Sequence, residues 1–270
     1  MNTVAGLGYV FTSSAVKARF LSPFLRLAIR ALLGRRNSLL ILQNPDDRRV
    51  LEELCGTPRE RTVLIRGSGV DMGRFAPMPE PDTVPTVAMV SRMLWNKGVG
   101  ELVEAARRLK SAGVSLRVTL VGVPDEENPA SIPVSELERW RSEGLVEWLG
   151  YRADIEEVWR GSTIAVLPTT YGEGVPKALI EAAACGRPII ATDVPGCREI
   201  VIHGETGLLV PTGDTGALVE AIRRLVEDPA LRRRMGEAGA AHARAEFSEE
   251  KVVEQTMGVY ERLAPLRRNR

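Results

Sequence analysis

Histidine and cysteine are scarce in this chain: two His and three Cys among 270 residues. With only His203 and His242, and with Cys55, Cys185 and Cys197 forming no C-x-x-C pair, the sequence argues against a Cys/His zinc site. Scattered cysteines suit a reducing compartment. Net charge is nearly missing as well: 36 basic against 35 acidic residues leave +1, which speaks for neither nucleic acid nor an acidic partner. No apolar run reaches the roughly 18 residues that a membrane span requires. The opening "NTVAGLGYVF" has no basic n-region or cleavage site, so the expected location is cytoplasmic.

Acidic residues are absent from the first 45 positions, where Lys17, Arg19, Arg26, Arg30, Arg35 and Arg36 stand. Phe20, Phe24, Leu27 and Ile29 alternate with those cations. Two readings stand side by side: peripheral contact with an anionic membrane surface, or a domain helix with one solvated basic face.

What is present is a regular alternation. From about Val84 onward, apolar runs at 86–91, 116–122, 146–151, 162–168, 187–192 and 206–211 are separated by helical patterns, such as Leu102, Val103, Ala106 and Leu109 on one face. Nearly continuous apolar strands between helices predict a doubly wound parallel sheet, with ligands beyond the strands' carboxyl ends. Upstream, strands over 38–43 and 62–67 and helices over 14–34 and 46–55 follow the same rule but give too few strands for a full sheet. The expected organisation is a partial N-terminal unit over 1–70 and a proline-rich linker over 71–85. A nucleotide-binding unit follows over 86–247, then a last helix over 248–264 packing back toward the first unit.

The stretch "TTYGEGVPKALIEAAACG" carries the chemistry. Pro176 is expected at the first helical position of a helix running to about Cys185. Its unpaired first-turn amides and dipole suit a phosphate, and Gly172 and Gly174 let a ligand approach. Glu173 in the loop and Glu181 inside the helix are acceptors for sugar hydroxyls; phosphate flanked by polyols describes a nucleotide sugar. The plainer alternative makes Glu173 a dipole partner worth about 0.3–1 kcal/mol and Glu181 a solvated residue. In "SRMLWNKG", Arg92 and Lys97 flank a strand-to-helix turn and could clamp a pyrophosphate, or could be surface charge. Trp95 either shields that pyrophosphate or covers core. The turn has no G-x-G-x-x-G, so a nicotinamide cofactor is not supported.

In their order and spacing, "SR....KG" (91–98), "GYRADI" (150–155), the 166–201 stretch with Glu173 and Glu181 eight apart, and "GETGLLVPTGD" (204–214) resemble the retaining GT-B glycosyltransferases of family 4, of bacterial cell-surface polysaccharide type. The resemblance covers Ser38 to Leu263. It implies an α/β GT-B fold: a complete C-terminal Rossmann-like sheet beside a partial N-terminal one. It also implies transfer of a sugar from a nucleotide diphosphate sugar, a UDP-sugar being expected, with retention and without a metal or resident cofactor. On that basis Arg92 and Lys97 bind the diphosphate, Glu173 holds the transferred sugar, and Glu181 holds the ribose. Main chain at Gly174, Val175, Pro176 and Lys177 lines the sugar and phosphate site, and the base lies near Gly122, Tyr151 and Arg152. The acceptor would be a glycan or a polyprenyl-diphosphate-linked sugar. Relatives open with a fuller N-terminal domain, so the chain is expected to lack about a hundred residues and most acceptor contacts. The alternative is therefore a donor-binding module without turnover.

Overall fold

The computed structural model describes residues 2–4, 38–172 and 174–263. The basic segment over 14–34, Glu173 and the tail "RRNR" lie outside the described residues. Two parallel sheets organise the rest.

The smaller sheet has β1 (Asn2–Val4), β2 (Leu40–Leu42) and β3 (Thr62–Leu64), in that order. The sequence reading assigns no strand to Asn2–Val4; three residues are too few to show a period. Between β2 and β3 runs α1 (Pro45–Cys55), for which each terminal signal is present. Buried Asn44 accepts the Asp47 amide at 2.8 Å, Pro45 opens the first turn, and Gly56 closes the helix in the left-handed conformation.

The larger sheet holds β4 (Thr86–Val90), β5 (Arg117–Val121), β6 (Glu147–Trp148), β7 (Ile164–Leu167), β8 (Ile189–Thr192) and β9 (Gly207–Val210). Its order is β6-β5-β4-β7-β8-β9, every neighbour parallel. The chain thus winds outward from β4 in one direction and from β7 in the other, which leaves a switch point between these two strands. Both faces are covered. Helices α2 (Val99–Ser111), α3 (Val134–Ser142) and α4 (Ile155–Arg160) follow the first three strands. Helices α5 (Lys177–Ala184), α6 (Cys197–Ile200) and α7 (Thr215–Glu227) follow the last three. Full burial of Val87, Ala88 and Met89 in β4 explains the unbroken apolar run. Strand β6 is shorter than the expected 146–151, because Gly150 turns the chain at positive φ beyond the sheet's edge.

Two further helices, α8 (Pro229–Phe247) and α9 (Glu249–Leu263), end the described chain, and α8 packs along α5. Asp228 caps α8 through the Leu231 amide, and the Ser248 hydroxyl accepts the Lys251 amide as expected for the start of α9. Val259 of α9 packs with Ile41 of β2 and with Leu39 and Ile65, which flank β2 and β3. The 71–85 stretch is pinned rather than loose: Met72 and Phe75 are buried in the main core, and Met78 donates to the Cys185 carbonyl.

Candidate functional site

The carboxyl ends of β4 and β7 carry the two loops singled out in the sequence, and hydrogen bonds join them. The Asn96 carbonyl accepts the Thr170 amide at 2.9 Å and the hydroxyls of Thr169 and Thr170 at 3.1 and 3.2 Å. Gly98 makes this closeness feasible. It sits at φ +84°, and a Cβ there would lie 2.0 Å from the Pro168 carbonyl oxygen. Lys97 Nζ stands 5.2 Å from the centroid of the Tyr171 ring, two residues before Glu173. Thus Lys97 is brought to the loop that carries Glu173 and Gly174.

The loops after β5 and β6 close the same end of the sheet. Gly122, at φ +133°, rests on the backbone after β4: a Cβ would meet the Ser91 carbonyl oxygen at 1.9 Å. Its amide donates to the Gly150 carbonyl, and its own carbonyl accepts the Trp148 indole, both at 2.8 Å. Gly122, Tyr151 and Arg152 therefore share one corner, with Tyr151 75% exposed. Arg152 grips Asp154 with two guanidinium nitrogens, which raises its pKa further and lowers that of Asp154. Arg92 pairs with Asp125, 2.6 Å away in the loop after β5. That carboxylate sits 33 positions downstream, and nothing local in the sequence flags it.

Helix α5 begins at Lys177, not at Pro176. Pro176 holds the cap position with an extended ψ of 117°, and its carbonyl accepts the Leu179 and Ile180 amides. The one-residue shift has a simple cause: proline's φ suits either position, and here its ψ is not helical. No side chain caps this helix. Val175, immediately ahead, donates its amide to Gln43 Oε1 at 3.2 Å, so a side chain beyond the end of β2 reaches into the loop before α5. Gln43 carries no sequence motif and was missed, and so was Asn96, whose Oδ1 is buried without a partner.

Glu181 is 9% exposed, within a helix whose other buried positions are Leu179, Ile180 and alanines. It is a buried carboxyl, not the solvated residue of the plainer reading. Burial raises its pKa, while Lys177 one turn earlier and Arg74 favour the charged form more weakly. Trp159 lies among its neighbours, although the indole N–H meets no acceptor in hydrogen-bond geometry. Arg74 binds Glu156 and the Ala153 carbonyl, near the corner of Tyr151 and Arg152, and acts on Glu181 only through its charge.

Trp95 does not lie flat on core. It is 43% exposed and stacks edge-on against Trp140 at 5.8 Å. Cys185 and Cys197 are buried, and burial pushes the Cys185 thiol up to about 12. Exposed His203 accepts the Leu209 amide. Among the described residues, no group of three or more His, Cys, Asp or Glu is placed to hold a metal ion, and no helix is long and apolar enough to cross a membrane.

Comparison with known proteins bears on the family and the fold. The profile described as "Glycosyl transferases group 1" matches residues 84–228. N,N'-diacetylbacillosaminyl-diphospho-undecaprenol alpha-1,3-N-acetylgalactosaminyltransferase of Campylobacter jejuni is 30% identical, over 96% of this chain and 69% of its own length. Alpha-maltose-1-phosphate synthase of Mycobacterium tuberculosis is 34% identical, over 77% and 53% respectively. Across the relatives matched, the chain spans between about four tenths and seven tenths of their length. Among solved structures, sucrose-phosphate synthase from Thermosynechococcus elongatus superposes with a TM-score of 0.82 at 26% identity, over 98% of this chain and 67% of that one. Anabaena HepE in complex with UDP and glucose gives 0.72 at 25%, over 90% and 69%. The architecture is the GT-B type, with its six-stranded unit and three strands beside it.

Proposed function

The chain belongs to the glycosyl transferases group 1 family, and from that premise we propose that its crevice binds a nucleotide diphosphate sugar and transfers the sugar with retention. One observation carries the reading: the loops after β4 and β7 are hydrogen-bonded at the switch point of the sheet, with Lys97 over Tyr171.

The diphosphate lies between Lys97, Arg92 and the N-terminal end of α5, where the dipole favours an anion. Arg92 exchanges Asp125 for phosphate oxygen as the donor enters. Glu181 accepts the ribose hydroxyls; Lys177 and Arg74 favour its charged, acceptor form against the burial that raises its pKa. Main chain at Gly174, Val175 and Lys177 faces the sugar and phosphate, Glu173 holds the sugar hydroxyls, and the base lies against Gly122, Tyr151 and Arg152. In the reaction, the bond from the anomeric carbon to the diphosphate oxygen breaks as an acceptor hydroxyl attacks on the same face. The acceptor's proton passes to the departing phosphate oxygen, and the cations stabilise the growing charge. Uridine is the proposed base, after HepE with UDP and glucose. A lipid-diphosphate-linked glycan is the proposed acceptor, after the Campylobacter relative, whose name includes a diphospho-undecaprenol sugar.

Titration calorimetry with UDP and UDP-glucose tests the donor site. Binding in the micromolar to millimolar range, about −8 to −4 kcal/mol, is expected. No heat at millimolar ligand overturns the proposal. Saturable binding without sugar transfer to any lipid-linked acceptor would reduce the chain to a donor-binding unit.

A further inference from the structure

We propose a second ligand site, for a phosphate monoester with an apolar body, at the opposite end of the larger sheet. Thr163 and Pro188, which precede β7 and β8, line a cavity of about 640 Å3 there. Its walls are the segment around Pro77 and Met78 and one face of α8. The volume lies within the range of small-molecule sites, roughly 300–1,000 Å3.

The charges on this cavity do not balance. Four arginines (187, 232, 233 and 244) face two glutamates (80 and 237), which leaves a net of +2. Arg232 is fully engaged: it pairs with Glu80 and donates to the carbonyls of Leu225 and Val226 at 2.6 and 2.8 Å. Arg187 is different. It is only 2% exposed, yet it meets no carboxylate in an ion pair among the described residues. It donates to the carbonyls of Met78 and Pro79 at 3.2 and 2.9 Å, while its buried Nε has no partner. Burial depresses its pKa accordingly. The carboxylate that favours its charge, Glu80, is already bonded to Arg232, so this buried cation is under-compensated, and an anion in the cavity would supply a further counter-charge.

The rim fits the same ligand. Arg233 and Arg244 are exposed and form no ion pair among the described residues. They lie three turns apart on one face of α8, and between them Ala240 and Ala241 leave room. A dianionic phosphate monoester matches the net charge, and its organic part would lie against the prolines and alanines. Gly186 of this cavity lies just past Cys185, the C-cap of α5, so the site stands at one end of that helix and the donor loop at the other.

The test is titration calorimetry of the whole chain with phenyl phosphate as probe. Saturable binding at about 1 mM or tighter is expected. Benzoate and inorganic phosphate should each bind at least about tenfold more weakly, for want of the second charge or of the apolar body. Arg233→Ala with Arg244→Ala, both at exposed positions, should weaken phenyl phosphate at least about tenfold without moving the unfolding midpoint. Arg92→Ala with Lys97→Ala should leave it within about threefold, which separates this site from the donor crevice. Absence of saturable heat, undiminished binding in the Arg233/Arg244 variant, benzoate binding as tight as phenyl phosphate, or loss in the Arg92/Lys97 variant would each overturn the proposal.

Discussion

Gln43 and Val175, 132 residues apart, meet across the crevice: the carboxamide oxygen beyond the end of β2 accepts the amide ahead of α5 at 3.2 Å. The smaller sheet thereby reaches the backbone assigned to the donor. Gln43→Ala should lower stability by about 1 kcal/mol, the net worth of one such bond, and leave UDP affinity within about threefold. Gln43→Glu should weaken UDP by about tenfold, because it sets a carboxylate beside the diphosphate. Urea unfolding and calorimetry read the two effects separately.

The Arg92–Asp125 pair makes two substitutions act in opposite directions. Both side chains are partly exposed, so the pair contributes about 0.2–1 kcal/mol. Asp125→Asn should release Arg92 and tighten UDP by about threefold at low salt. Arg92→Ala should weaken UDP by about tenfold. Equal affinity in both variants would remove Arg92 from the diphosphate site.

Gly98 holds the two central loops in contact. Gly98→Ala combines a positive φ with a collision at the Pro168 carbonyl, and rigid backbone leaves the methyl nowhere to go. A loss of about 3 kcal/mol or more is expected in urea unfolding, with weaker UDP binding in the fraction that stays folded.

Glu181 links stability to pH. Between the ordinary value of 4.5 and its raised value, the folded state keeps a proton that the unfolded chain has released. Stability from this group is therefore intact below pH 4.5 and falls as pH rises through that window. Glutamine cannot titrate, so Glu181→Gln should gain stability relative to the native chain as pH goes from 4 to 8, while UDP binding weakens by about tenfold. A native-like pH profile in the variant would mean the carboxyl is not the titrating group.

The strands of the larger sheet were legible because burial on both faces leaves runs such as "TVAMV" with no polar interruption. Helix α5 was legible from Pro176 before it and Gly186 after it, within one residue. The edge strands β3 and β9 fall within their expected runs, but β6 keeps only two residues of its run and β1 has too few to show alternation. Contacts made by tertiary closure were invisible as well. Neither Gln43 at Val175 nor Asp125 at Arg92 leaves a local trace, and the burial of Glu181 does not follow from the pattern of its own helix. Arg187 stands in the sequence only as the first residue of the 187–192 run. Only the fold shows that it is enclosed.

The protonated, enclosed thiol of Cys185 has a practical consequence. Thiolate is the reactive form, and this sulfur is shielded from reagent and pushed up to about 12 by burial. Alkylation at neutral pH must await an opening of the core beneath α8, so its rate becomes a clock for that opening. Any molecule that fastens the segment around Met78 to α8 would slow the clock.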